Sequence, residues 1–221
     1  IWGLQTIGIA KSEEEMQAHL SSLPKGGQEA IGSKWSAGDI MYRDLNGDGK
    51  ISKGASTLDD HGDLKVIGNS TPRYFFGIDL NADWKGFDVR FFFQGVMKRD
   101  YWGKDNFCGY LFGVRGDKDI WHARGLVEHQ NYFRAQAIGI DGHELPANLD
   151  AYYPRPVFKE GAKNQETQSR YLQDASYIRL KNFQLGYTLP AKWMKNIGLT
   201  KCRVFVSGEN LWTGTSLSSL F

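Results

Sequence analysis

An alternation with a period of two, sustained from Tyr74 to Met97, constrains this chain more than any other feature. One phase of the first run carries Tyr74, Phe76, Ile78, Leu80, Ala82 and Trp84, and the other carries Phe75, Gly77, Asp79, Asn81 and Asp83. After Lys85-Gly86 the apolar phase continues as Phe87, Val89, Phe91, Phe93 and Met97, interrupted by Gly95. Asp88, Arg90, Phe92, Gln94 and Val96 take the opposite phase. Strand side chains point alternately to two faces, so two such runs across a two-residue turn predict a β-hairpin.

The length of these runs matters. About 11 residues at ~3.3 Å each, tilted by ~45°, rise roughly 26 Å, close to the ~25 Å apolar band of an outer-membrane barrel. Aromatic residues gather near the strand ends, at Tyr74, Trp84, Phe87, Tyr101 and Trp102, as interfacial girdles require. A half-buried strand of a soluble sandwich alternates as well. The two readings differ in what covers Tyr74, Phe76, Ile78, Leu80 and Trp84: lipid, or a second sheet.

Elsewhere the chain supplies shorter signals. Residues 1–10 are β-branched and aromatic enough for a strand, expected beside 74–84. Ser12 and Glu15 form a capping box for a short helix over about 12–23, with Met16, Leu20 and Leu23 on one face. Residues 25–72 read as loop. Residues 98–170 have no sustained period, apart from one helix near 119–135. Tyr177–Leu189 reads as a strand whose phase flips near Lys181-Asn182, which predicts a β-bulge. Pro190–Thr200 is a short helical turn, and a last strand runs over 201–212. The strands 74–84, 87–97, 177–189 and 201–212 should be sequential antiparallel neighbours. The connections alternate long (11–72), short (85–86), long (98–170), short (190–200). That is the asymmetry of extracellular loops and periplasmic turns in a membrane barrel.

Composition excludes several classes. The 221 residues hold 27 Lys+Arg against 25 Asp+Glu, a net charge of +2, with no basic field for nucleic acid. The 26 Gly, 6 Pro and 14% aromatic content fit β-structure with many bends. Cys108 and Cys202 are too few for a disulfide framework or a zinc site. No run of apolar residues is long enough for a transmembrane helix, which says nothing about barrels. The chain opens on Ile1 and stops at Ser218-Ser219-Leu220-Phe221; both ends read as cut, so a piece of a longer protein is expected. His19, His61, His122, His129 and His143 have no ligand spacing, and no nucleophile–base or phosphate-loop motif stands out, so no catalysis is read here.

Four blocks go further: GDIMYRDLNGDGKIS (38–52), VIGNSTPRYFFGIDLNADWKGFDVRFFFQGV (66–96), YLQDASYIRLKNFQLGYTLP (171–190) and RVFVSGENLW (203–212). In this order they resemble the C-terminal barrel region of SusC/RagA-type TonB-dependent outer-membrane transporters. The resemblance implies an all-β chain: antiparallel up-and-down strands forming a segment of a transmembrane β-barrel, with long extracellular loops containing short helices. It implies a location in the outer membrane of a Gram-negative bacterium and import of glycan or peptide fragments. It also implies a SusD-like surface lipoprotein as lid and TonB as energy source. The final strand, plug and TonB box of that family are absent from 1–221, so the chain is expected to be a partial barrel.

Three sets of candidate residues follow. Asp44, Asn46 and Asp48 have the spacing that opens a calcium loop, with Gly49 for the bend, the Lys50 carbonyl as a further ligand and Ile51 as anchor. The twelfth position is Ala55, so a closing carboxylate would come from Asp63, or from Asp59 or Asp60. The alternative is an Asx-rich turn that binds nothing. The aromatics Trp102, Tyr110, Trp121, Tyr152 and Tyr153 are candidate contacts to a sugar, a peptide or a lid, or pack the loop's own core. In the barrel reading Tyr74, Phe76, Ile78, Leu80, Trp84, Phe87, Val89, Phe91 and Phe93 face outer-membrane lipid, and Asp79, Asn81, Asp83, Asp88 and Arg90 face the lumen. The competing functional reading is a soluble or surface β-sandwich binding module, an adhesin, with a calcium-stiffened loop.

Overall fold

The computed structural model describes residues 1–103, 130–140, 142–157, 161–195 and 198–217. In chain order the elements are β1 (Trp2–Leu4), β2 (Thr6–Ile9), α1 (Glu13–Ser21), β3 (Ile40–Tyr42), β4 (Leu64–Val66), β5 (Tyr74–Trp84) and β6 (Phe87–Met97). There follow β7 (Asp100–Tyr101), β8 (Ile138–Ile140), β9 (His143–Leu145), β10 (Gln173–Asp174), β11 (Tyr177–Thr188), α2 (Ala191–Lys195) and β12 (Arg203–Thr215). The chain divides into two compact units, one from residues 1–68 with 102–172, the other from 69–101 with 173–217.

The second unit is a four-stranded antiparallel sheet in the order β12-β11-β6-β5. The expected order of neighbours is therefore observed. Lys85 and Gly86 close the first hairpin with φ of 47° and 92°, below the pair Trp84↔Phe87. Two left-handed residues make the turn whose twist matches a right-twisted hairpin, and a glycine takes one of them without a Cβ penalty. The bulge lies where the phase flips. Leu180 and Asn182 sit opposite the adjacent residues Phe93 and Phe92 of β6. Across β12 the same step spans Trp212 to Glu209, so Asn210 and Leu211 oppose Lys181 alone. One extra residue on β11 and two on β12 keep the apolar phase on one face despite the flip.

All long connections leave the sheet at one end, where Tyr74 faces Met97 and Tyr177 faces both Val96 and Thr215. The short links lie at the other end, where Trp84 and Tyr187 both face Phe87. Beyond Met97 the β6–β11 pairing resumes as β7 with β10, and Ala175 N–H donates to the Arg99 carbonyl at 2.8 Å.

The first unit departs from expectation. Residues 1–10 do not lie beside 74–84: β1 pairs with β4 and β2 with β3. Leu4, Ile9 and Ala10 are buried with Met16, Leu23, Trp35, Ile40, Met41, Tyr42, Ile51, Phe133, Ala151, Tyr153 and Tyr171. The reason is visible in the residues. Trp2 and Leu4 share one phase, Ile7 and Ile9 the other, so the run breaks at Gln5 and makes two short strands rather than one spanning strand. Leu4 is also held by residues far along the chain: its N–H donates to Thr167 O at 2.8 Å, and its carbonyl accepts from Ser169 N at 3.0 Å.

The helix α1 forms as expected, with the Ser12 hydroxyl accepting from Glu15 N at 3.2 Å and the Glu15 carboxylate accepting from Lys11 N at 2.6 Å. Met16 and Leu23 are buried in the core. The helix expected near 119–135 falls mostly outside the described residues. Its described end is extended instead, with Tyr132 bridging to Tyr153 and Arg134 to Asn148. Residues read only as loop thus build a core by long-range pairing.

Candidate functional site

Cross-strand partners in a sheet share a face, so the register sorts every side chain of the four-stranded sheet. One face carries Tyr74, Phe76, Ile78, Leu80, Ala82 and Trp84 beside Phe87, Val89, Phe91 and Phe93. It continues through Ile178, Leu180, Phe183, Leu185 and Tyr187 to Val204, Val206 and Trp212. The nine residues read as lipid-facing all lie on it. Leu80 is 53% exposed, Trp84 69% and Val206 68%, values that no packed sandwich core would show. Phe91 lies 5.1 Å from Phe183 and Phe87 4.5 Å from Tyr187, ring centre to ring centre.

The opposite face is polar and internally paired. Asp79 accepts from Arg90 Nε at 3.0 Å and Nη2 at 2.5 Å, a bidentate clasp between β5 and β6. Asp88 pairs with Arg203 from two strands away, and Arg179 Nε donates to Thr213 Oγ1 at 2.9 Å. Asn81 donates to Asp79 at 3.2 Å. The five residues read as lumen-facing share this face. Phe75, Phe92 and Phe205 also lie on it, so it is not uniformly polar.

The Asp-rich loop is built from backbone amides. Asp44 accepts from Gly47 N at 2.6 Å and Gly49 N at 2.9 Å, Asn46 from Asp48 N at 2.9 Å, and Asp48 from Lys50 N at 3.1 Å. Gly47 and Gly49 take φ of 72° and 81°, which bends the loop. Of the three candidate closing carboxylates, Asp63 lies against the loop. It is fully buried and accepts from Leu45 N at 2.7 Å and Ser52 N at 2.8 Å, clamping both arms. Asp60 caps the neighbouring insertion through Ala55 N at 3.1 Å. Ile51 anchors the loop in the core. Among the described residues no three His, Cys, Asp or Glu side chains gather as a metal cluster. Each carboxylate oxygen keeps a lone pair beyond the amide bond it accepts.

The candidate contact aromatics separate. Tyr110 and Trp121 lie outside the described residues. Tyr153 is 3% exposed, with Tyr152 at 4.8 Å and Tyr171 at 5.8 Å covering its ring, so it is a core residue. Trp102 and Tyr152 are partly buried against the same core, and the Arg170 guanidinium lies 5.6 Å from the Tyr152 ring.

Sequence reasoning missed the strongest polar cluster. The fully buried Asp39 accepts from Arg155 Nε at 3.0 Å and Nη2 at 2.9 Å, Lys163 Nζ at 2.8 Å and Asn164 Nδ2 at 2.9 Å. Lys163 is 1% exposed and also donates to the Ser33 and Lys34 carbonyls at 2.9 and 2.8 Å. Burial alone would raise the Asp39 pKa. The hydrogen bonds from Arg155, Lys163 and Asn164 outweigh it and hold the carboxyl below its usual range. The partners are 116 to 125 residues away, so no local motif could reveal them.

A sheet of long antiparallel strands with one continuous exposed apolar face and one ion-paired face is a segment of a transmembrane β-barrel. No family model matches the chain. The chain is 29% identical over 194 residues to TonB-dependent receptor P3 of Formosa agariphila (strain DSM 15362 / KCTC 12365 / LMG 23005 / KMM 3901 / M-2Alg 35-1). That alignment covers 88% of this chain and 16% of the receptor. It is 25% identical over 218 residues to TonB-dependent receptor P26 of the same organism, covering 95% of this chain and 17% of the receptor. In fold it is similar to the RagAB peptide transporter structure, with a TM-score of 0.55 at 18% identity, covering 100% of this chain and 20% of that one. The chain thus spans about a sixth of the length of these receptors. Its resemblance is to SusC/RagA-type TonB-dependent proteins, and the names of these relatives are those of receptors and a transporter, not of enzymes.

Proposed function

We propose that this chain is part of an outer-membrane TonB-dependent transporter that imports glycan or peptide fragments together with a SusD-like surface lipoprotein. The chain lies in the outer membrane of a Gram-negative bacterium. The observation that carries the reading is the sheet itself, whose apolar face, from Tyr74 to Trp212, stays exposed while Asp79–Arg90 and Asp88–Arg203 pair on the other. The apolar face meets lipid; Asp79, Asn81, Asp83, Asp88 and Arg90 face the lumen. The long connections lie outside the cell and the short ones in the periplasm. A sandwich or adhesin module would need that face covered.

The substrate is taken by the parent protein, with Trp102 and Tyr152 the described aromatic candidates for contact and the lipoprotein closing over the loops. TonB acts through a plug that this segment does not supply. The 44–51 loop is proposed to hold a calcium ion that stiffens it, supported by the spacing of Asp44, Asn46 and Asp48, the Asx turns at Asp44, and the clamp of both arms by Asp63. The test is uptake of fluorescent oligosaccharides and oligopeptides by cells expressing the full-length parent. Accumulation should need the parent, TonB and the partner lipoprotein. Accumulation that survives loss of TonB or of the parent would sink the proposal.

A further inference from the structure

The end of the sheet that carries the short connections forms a built rim. Thr188 N donates to Gly86 O at 2.7 Å and Leu189 N to Cys202 O at 3.0 Å, so the turn glycine lies beside Thr188, and Leu189 beside Cys202. Lys85, Lys192, Lys195 and Lys201 are all exposed on this rim, and no Asp or Glu occurs between Leu189 and Cys202. The nearby Asp88 is already paired with Arg203, which leaves the exposed Asp83, opposite Asp88 in the register, as one carboxylate against the four lysines. Trp84 and Trp193 are 69% and 60% exposed, and Lys85 Nζ lies 4.9 Å from the Trp84 ring centre. The segment carrying Trp193 is not loose. Met194 is buried, Trp193 N donates to Pro190 O at 3.0 Å, and Leu199 N to Met194 O at 3.1 Å. The apolar face runs without a break onto the rim through Trp84, Phe87, Tyr187 and Val204.

Indole rings prefer the headgroup–acyl boundary, and lysines beside them extend their ammonium groups to the phosphates. We propose that this rim binds the headgroups of anionic glycerophospholipids in the leaflet that faces the short turns. Trp84 and Trp193 seat in the boundary, and Lys85, Lys192, Lys195 and Lys201 take the negative charge. The excess of cations over carboxylates selects anionic over zwitterionic lipid, and continuity with the apolar face favours a bilayer over a soluble partner. This rests on the membrane reading above.

The experiment uses the full-length parent reconstituted in bilayers with brominated phosphatidylglycerol or brominated phosphatidylethanolamine. The readout is emission quenching, taken as the difference between wild type and Trp193→Phe. A lysine near an anionic surface contributes roughly a fivefold preference before screening. Even one lysine's worth of this preference should leave Trp193 half-quenched at no more than about one fifth as much phosphatidylglycerol as phosphatidylethanolamine at low salt. The preference should shrink to about twofold or less in K85Q/K192Q/K195Q/K201Q. Equal quenching by the two lipids in wild type, or an undiminished preference in the variant, overturns the inference. A Val206→Trp variant separates the two layers of the argument. Quenching there by either lipid reports the sheet in the bilayer; its absence sinks the membrane reading, whereas quenching at 206 without preference at 193 sinks the headgroup site alone.

Discussion

Asp39 balances two cations in a dry place, so removing its charge should do more harm than removing any surface pair. Asp39→Asn keeps the shape but strands the Lys163 ammonium, which is 1% exposed. Breaking a buried pair from one side costs about 3–5 kcal/mol. The full-length parent carrying Asp39→Asn should melt earlier and be cut faster by protease within residues 33–42; wild-type resistance would refute the clamp. The same carboxyl predicts a pH response. Its folded pKa lies below the unfolded one. Its stabilisation is therefore complete above the unfolded value, roughly pH 4, and is lost as pH falls through the lower, folded value. Acid melting should show a step below about pH 4 that Asp39→Asn lacks. At the Asp-rich loop, the calcium proposal is separated from a plain Asx turn by calorimetry. Asp44→Ala and Asp48→Ala should each weaken calcium binding by about tenfold or more in the refolded parent. Equal binding in wild type and both variants would leave the turn alone. The Asx turns at Asp44 were legible because their partners are local in sequence, whereas Asp39 depends on groups 116 to 125 residues distant.

Among the elements, the β5–β6 hairpin and the bulge in β11 were readable because strand alternation is local and the phase flip at Lys181 leaves a mark in the residue order. The strand expected at 1–10 was not, because an apolar composition over ten residues says nothing about partners. Only the phase break at Gln5 hinted at two short strands. A further element-level device is Gly95, which breaks the apolar stripe of β6. A Cβ there would collide with the Phe76 ring on β5 and approach Tyr177 O to 2.8 Å. The glycine lets the aromatic ring lie across the strand, a pairing that keeps the face continuous where a side chain is missing. Gly95→Val should therefore lower the yield of folded parent barrel, read as heat-modifiable migration on a gel. Gly95→Val with Phe76→Ala should recover part of it. No defect in the single variant, or no recovery in the double, would show that the ring contact does not set the strand spacing.

For the whole molecule, the orientation in the membrane depends on which side each connection faces. The sheet alone cannot decide this, because an antiparallel sheet looks alike from both ends. The connections decide it. The connections longer than ten residues other than 189–202 leave the sheet where Tyr74 faces Met97 and Tyr177 faces Val96, and the two-residue turn leaves it where Trp84 faces Phe87. Short turns on the periplasmic side and long loops outside are the rule for such barrels. That the long connections share a core was not legible, since β1–β4 and β2–β3 join stretches without a common period. A cysteine at Leu58, which is 79% exposed, reports the long side, and one at Lys85 reports the short side. On intact cells producing the full-length parent, a membrane-impermeant maleimide should label Leu58→Cys and spare Lys85→Cys. After the outer membrane is opened, Lys85→Cys should label as well, which shows that it was shielded rather than buried. Labelling of Lys85→Cys on intact cells with protection of Leu58→Cys would invert the topology and move the lysine rim to the outer leaflet.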